Sequence, residues 1–116
     1  MTKNAKPYRV HVTNRFNDAE SYKLGPYATT AEAIEIAKKV TVDFLRGNIL
    51  KNGEETPLGL LDYFLESGDF PQVIGPKYSG EFNTTAFAEQ TCYELLGLPV
   101  PEQLIYGNVK FIPMTG

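Results

Sequence analysis

The chain has 116 residues, a formal net charge of −3 and a pI of about 5.1. That length supports one domain with one ordinary core, and that charge argues against the basic field of a nucleic-acid binder. No run approaches the roughly 18 apolar residues of a membrane span, and Cys92, as the single cysteine, excludes an intramolecular disulfide.

Residues 1–6 (MTKNAK) are polar and expected to fray. Their lysines are followed by no apolar stretch, so no secretory leader is read there and the cytoplasm is the expected location. Tyr8, Val10 and Val12 alternate with Arg9, His11 and Thr13, the pattern of a strand that is apolar on one face. Asn14 to Ala19 is rich in turn formers. Glu20 to Leu24 alternates again, so the two strands are expected to pair as an antiparallel hairpin. Phe16, at the tip of that loop, either folds back onto the core or stands out for a partner, and folding back is the expectation. Gly25-Pro26 is read as the break that ends the second strand.

Thr29 to Asn48 carries the strongest helix signal. Thr29 and Glu32 have capping-box spacing, which predicts a bond from the Glu32 carboxylate back to the Thr29 N–H. Ala33, Ile36, Ala37, Val40 and Phe44 recur at helical spacing, and Ile34, Thr41 and Leu45 widen the stripe. Gly47 is placed to end the helix in the left-handed conformation. The loop that follows holds an Asn52-Gly53 turn. Thr56-Pro57 opens a second helix, with Thr as N-cap and Pro at the first helical position. Leu58, Leu61 and Leu65 are expected on its inner face with Leu60 and Phe64 beside them, and Gly68 at its end. Gly59 weakens this helix by about 1 kcal/mol relative to Ala.

Asp69 to Gly75 reads as a short strand that Pro71 confines to an edge. Phe82 to Leu96 is a third helix: Asn83 caps it, Phe82 and Phe87 make a hydrophobic staple, and Gly97-Leu98-Pro99 stops it in the Schellman manner. Its apolar stripes are Phe87, Thr91, Leu95 and Ala88, Cys92, Leu96. Residues 98–116 form an extended C-terminal segment in which Leu104 to Ile112 reads as a bulged strand, or as two strands about a Gly107-Asn108 turn. It is too apolar for a free tail, so it joins the sheet or docks on another molecule. The shared aromatic-x-Thr-Thr-Ala of Tyr27–Ala31 and Phe82–Ala86 is read as the same capping chemistry used twice, not as a repeat.

The order Tyr8-x-Val10-x-Val12, Asn14, Phe16, Tyr22, Gly25, Tyr27-x-Thr29, Glu32-Ala33 and Asp43-Phe44-Leu45 resembles a group of small bacterial proteins of unassigned function. Those proteins open with a short hairpin and continue into a capped helix, and their later aromatic-led helix is similar to Phe82 through Ala88. The resemblance covers roughly half of the chain, and the Leu98–Gly116 tail departs from the pattern. It implies a bacterial, cytoplasmic α+β domain and brings no activity, cofactor or catalytic residue.

The chemistry legible in the residues is sparse. There is no phosphate loop, nucleophile elbow or metalloprotease motif. One histidine and one cysteine fall short of the four ligands of a structural zinc site, so neither metal nor cofactor is expected. Cys92 lies in an apolar stripe and reads as a small hydrophobe. His11 is the one imidazole available as a general base, with Arg9 or Arg15 as its neighbour. The paired carboxylates Asp18/Glu20, Glu54/Glu55 and Glu66/Asp69 sit where solvated charge is ordinary. Tyr63, Tyr78 and Tyr106 have no place on the expected core faces, and surface aromatics favour protein contact.

These readings combine into one α+β domain: an antiparallel sheet of about three to five strands with about three helices packed on one face. The leading functional expectation is a non-enzymatic protein-interaction or self-associating module, working through the C-terminal strand, the Asn14–Ala19 loop or both. Its candidate residues are Arg15, Phe16 and Tyr106. The alternative is a small-molecule binder or small enzyme using His11 with a neighbouring Arg. Partners are expected to be protein, with neither nucleic acid nor membrane involved.

Overall fold

The computed structural model describes residues 6–49, 55–76 and 78–106. The expected fraying at residues 1–5, the Asn52-Gly53 turn, and the part of the 104–112 strand from Gly107 onward lie outside them. The element order is β1 (Tyr8–Asn14), β2 (Tyr22–Tyr27), α1 (Thr30–Gly47), α2 (Pro57–Ser67), β3 (Asp69–Ile74) and α3 (Thr84–Leu95). The fold is α+β, with three antiparallel strands in the order β2-β1-β3. α1 lies on one face of the sheet, and α3 packs against both α1 and α2.

β1 is central because it alone offers clean alternation without proline. Val10 and Val12 face inward and are fully buried; Val10 pairs with Leu24 on one side and Val73 on the other. Both outer strands carry a proline, Pro26 in β2 and Pro71 in β3, as a missing N–H requires. β2 differs from the expected Glu20–Leu24. Asp18–Glu20 is a 3-10 turn, and the strand runs through Gly25-Pro26 instead of stopping there. The Gly25-Pro26 peptide is cis, and Gly25 has φ 117°, which a residue with a side chain rarely adopts. The register shifts at this point, so that Tyr27 comes to pair with Tyr8 and both rings join the sheet-side core. Burial of Tyr27 thus overrides the local breaker signal.

α1 buries Ala33, Ala37, Thr41 and Leu45, with Ile34, Ile36, Val40 and Phe44 half-buried at the sides. Small residues along the centre line let the helix lie close to the sheet, and the Thr41 hydroxyl donates to the Ala37 carbonyl at 3.0 Å. At the start, Thr29 Oγ1 accepts from the Glu32 N–H at 3.1 Å. The Glu32 carboxylate reaches back to the Ala28 N–H at 2.9 Å, one residue earlier than the spacing implies. At the end, Gly47 stays helical. Asn48 follows as the C-cap, and its side-chain amide donates to the Phe44 carbonyl at 2.7 Å. With that carbonyl satisfied, no left-handed glycine is needed.

In α2 the buried residues are Leu60, Leu61 and Phe64, while Leu58 is exposed. The inner face is therefore rotated from the expected Leu58–Leu61–Leu65 line, because α3 and the end of α1 cover Leu60 and Phe64. The Thr56 cap forms as expected, accepting from the Gly59 N–H at 3.0 Å. In α3 the Asn83 cap, the Phe82–Phe87 contact (ring centroids 5.6 Å apart) and the Schellman stop all form. The stop uses Gly97 at φ 72°, with the Leu98 N–H on the Tyr93 carbonyl and the Gly97 N–H on the Glu94 carbonyl. The interior divides into a sheet-side cluster around Val10, Val12, Ala37 and Val73 and a helical cluster around Leu45, Leu61, Phe64 and Cys92.

Candidate functional site

The β1–β2 loop is built around Asn14. Its side-chain oxygen accepts from the N–H groups of Phe16 (3.1 Å) and Asn17 (2.7 Å), and its amide donates to Asp69 at 3.2 Å. Its own N–H donates to Ser21 Oγ at 2.8 Å, so one residue clamps both sides of the loop. Asn17 then caps the 3-10 turn by accepting from the Ala19 N–H at 3.1 Å. Asn and Asp favour such local bonds over regular structure, which is why this stretch folds into a fixed turn.

Arg15 ties the loop to the helical half. Its N–H donates to the Gly68 carbonyl at 2.9 Å, its Nε to the Leu65 carbonyl at 2.7 Å, and its guanidinium lies 5.2 Å from the centre of the Phe70 ring. That side chain is therefore engaged at the α2–β3 junction and not beside His11. Phe16 points the other way. Its side chain does not fold back onto the core: it is 82% exposed. At this end of the core it is the Arg15 guanidinium, one residue earlier, that lies over the Phe70 ring.

His11 lies on the outer face of the sheet, half-buried, opposite Lys23 in β2 and Gln72 in β3. Arg9 and Thr13 share that face by alternation. Arg9 is thus the arginine that the strand places near His11.

Tyr106 belongs to a different region. Ile105 and Tyr106 lie in a turn, so the expected strand is not present at its first residues, 104–106. Glu89 of α3 explains this. It is 1% exposed, and its two carboxylate oxygens accept from the Ile105 and Tyr106 N–H groups, each at 2.7 Å. Those donors, used in a carboxylate clasp, are lost to a strand ladder. Side chains here remain partly exposed, Ile105 at 61% and Tyr106 at 37%. Of the other unplaced tyrosines, Tyr78 closes the loop before α3 by donating to the Phe82 carbonyl and accepting its N–H. Tyr63 stacks on Phe44 at 5.9 Å.

Cys92 is fully buried, and that burial, with the Glu55 and Glu89 charges as further causes, pushes its thiol up to about 12. A neutral thiol without access to solvent is not a nucleophile. Among the described residues, no group of three or more His, Cys, Asp or Glu side chains is placed to hold a metal ion, and no helix is long and apolar enough to cross a membrane.

Sequence reasoning passed over Glu89 and Lys23. Glu89 had one signal: it is a carboxylate flanked by Ala88 and, three residues on, by Cys92, within the buried arc of a helix. Lys23 had another: its alternation with Tyr22 and Leu24 sets it on the face of His11. Compared with known proteins, the chain matches no family model, no curated protein and no solved structure.

Proposed function

We propose that the chain is a non-enzymatic interaction module that engages a protein partner, or a second copy of itself, through the β1–β2 loop with Phe16 as the anchor. The observation that carries this is the exposed Phe16 ring on a loop fixed by Asn14, Arg15 and Asn17. With the loop backbone held before contact, binding has only the Phe16 side chain left to order there, and aromatic side chains, Phe included, are enriched at protein interfaces. Burying this ring in a partner's apolar pocket is worth about 2 kcal/mol, roughly 30-fold in affinity. The C-terminal segment is the weaker candidate surface, because Glu89 already holds Ile105 and Tyr106 within the chain.

The test compares the intact chain with Phe16→Ala, by light scattering over a concentration series and by quantitative binding to whatever partner the intact chain retains at stoichiometric ratio. The reading expects association that weakens roughly 30-fold in Phe16→Ala, with an unchanged melting temperature. A chain that stays monomeric and retains no partner, or a variant that associates as well as the parent, overturns it.

A further inference from the structure

A depression of about 180 Å3 opens between β1 and β2, lined by His11, Thr13, Ser21, Tyr22 and Lys23 among others. Three of these, His11, Thr13 and Lys23, alternate onto the face of the sheet opposite Val10 and Val12. Register sets His11 directly across from Lys23, and Arg9 lies two residues from His11 on the same face. Directly opposed side chains in such a ladder stand about 5 Å apart at Cβ, so the imidazole and the ammonium border one small space.

The charge pattern here is opposite to that of the whole molecule. The chain carries −3 overall, yet Arg9, His11 and Lys23 share this face with Gln72 and Ile74, and alternation brings no strand carboxylate to it. On α1, by contrast, both lysines are matched: Lys38 pairs with Glu35 at 3.5 Å and Lys39 with Asp43 at 2.8 Å. Among the described residues, Arg9 and Lys23 have no such partner. Two carboxylates border the loop end of the space and both are engaged by neighbours: Asp18 accepts from the Ser21 hydroxyl at 3.3 Å, and Asp69 accepts from the Asn14 amide at 3.2 Å. Burial, and after it the Asp69 charge, raises the Tyr22 pKa. Cations left unmatched against a low-dielectric wall raise the local concentration of anions. The size of the space limits the choice. Pockets for drug-sized ligands run to roughly 300–1,000 Å3, so a depression of about 180 Å3 matches a ligand group of a few heavy atoms, such as a tetrahedral oxyanion.

We propose that the outer face of the sheet binds a small phosphate-type oxyanion between His11 and Lys23, with Arg9 supplying further positive charge and Thr13 a hydroxyl donor. The site is separate from the Phe16 anchor and does not depend on it.

The test is an amide-resolved NMR titration of the full chain with inorganic phosphate, against sodium chloride at matched ionic strength. Saturable shifts at His11, Thr13 and Lys23 are expected, with affinity falling at least tenfold in Lys23→Gln and unchanged in Lys38→Gln. Phe16→Ala leaves the titration as it was, so failure of the interaction reading and failure of this one are told apart. Shifts that do not saturate, that appear equally around Lys38 and Lys39, or that survive Lys23→Gln overturn the proposal.

Discussion

Cys92 shows what burial does to one side chain. Leu45, Leu60, Leu61, Phe64 and Ala88 share its cluster, and the thiolate would be formed with no water against it and with Glu55 and Glu89 nearby. The native chain should therefore resist thiol reagents at pH 8, with labelling appearing only as denaturant unfolds it. Rapid stoichiometric labelling of the native protein would contradict the burial. The same shift has a pH consequence. The folded chain holds this proton more tightly than the unfolded chain, whose thiol titrates near the ordinary value of 9.0. Its contribution to stability is therefore complete below pH 9.0 and is lost as the pH rises towards about 12.

At the scale of elements, the joint between α2 and β3 is closed against the backbone itself. Gly68 has an extended backbone there, so its glycine is required by space and not by φ. A Cβ would meet the Phe64 carbonyl oxygen at 2.6 Å and the Phe64 ring at 2.7 Å. Backbone cannot yield as a flexible side chain would, so Gly68→Ala should cost about 2 kcal/mol, a drop in melting temperature on the order of 10 °C. A melting temperature within a degree or two of the parent would show that the joint relaxes.

The sequence announces Gly68 as a helix end but says nothing of this crowding, and that division recurs. The Thr56-Pro57 start, the Phe82–Phe87 staple and the Gly97 stop were legible because each is completed by residues within five positions of one another. The passage of β2 through Gly25-Pro26, the exposure of Leu58 and the helical Gly47 were not. Each is decided by neighbours distant in sequence, or, at Gly47, by a side-chain cap from Asn48 that competes with the glycine. The candidate site divides likewise. The turn-forming character of Asn14–Ala19 could be read directly, but the exposure of Phe16 and the reach of Arg15 to Leu65 and Phe70, about 50 residues on, could not.

For the whole molecule, the connection that matters most is the one between α3 and residues 105–106. A buried carboxylate with two backbone donors makes charge-assisted bonds worth about 1.5–3 kcal/mol each. In the intact chain the Ile105 and Tyr106 amides should exchange slowly with solvent deuterium. Glu89→Ala should speed both by at least roughly tenfold, and Glu89→Gln, which keeps one acceptor oxygen, should fall between. Random-coil exchange of both amides in the intact protein would remove the clasp from the account.

The two prolines on the flanks of the sheet bear on how copies of this chain can meet. A strand from another molecule that approached β3 would find no donor at Pro71 and its carbonyl already taken by the Thr84 hydroxyl at 2.7 Å. One that approached β2 would meet the register shift at Gly25-Pro26. Neither flank serves as a template for open-ended growth, the route by which sheets polymerise into fibrils. Strand-by-strand addition is thereby interrupted on both flanks of the sheet, at Pro71 in β3 and at Gly25-Pro26 in β2.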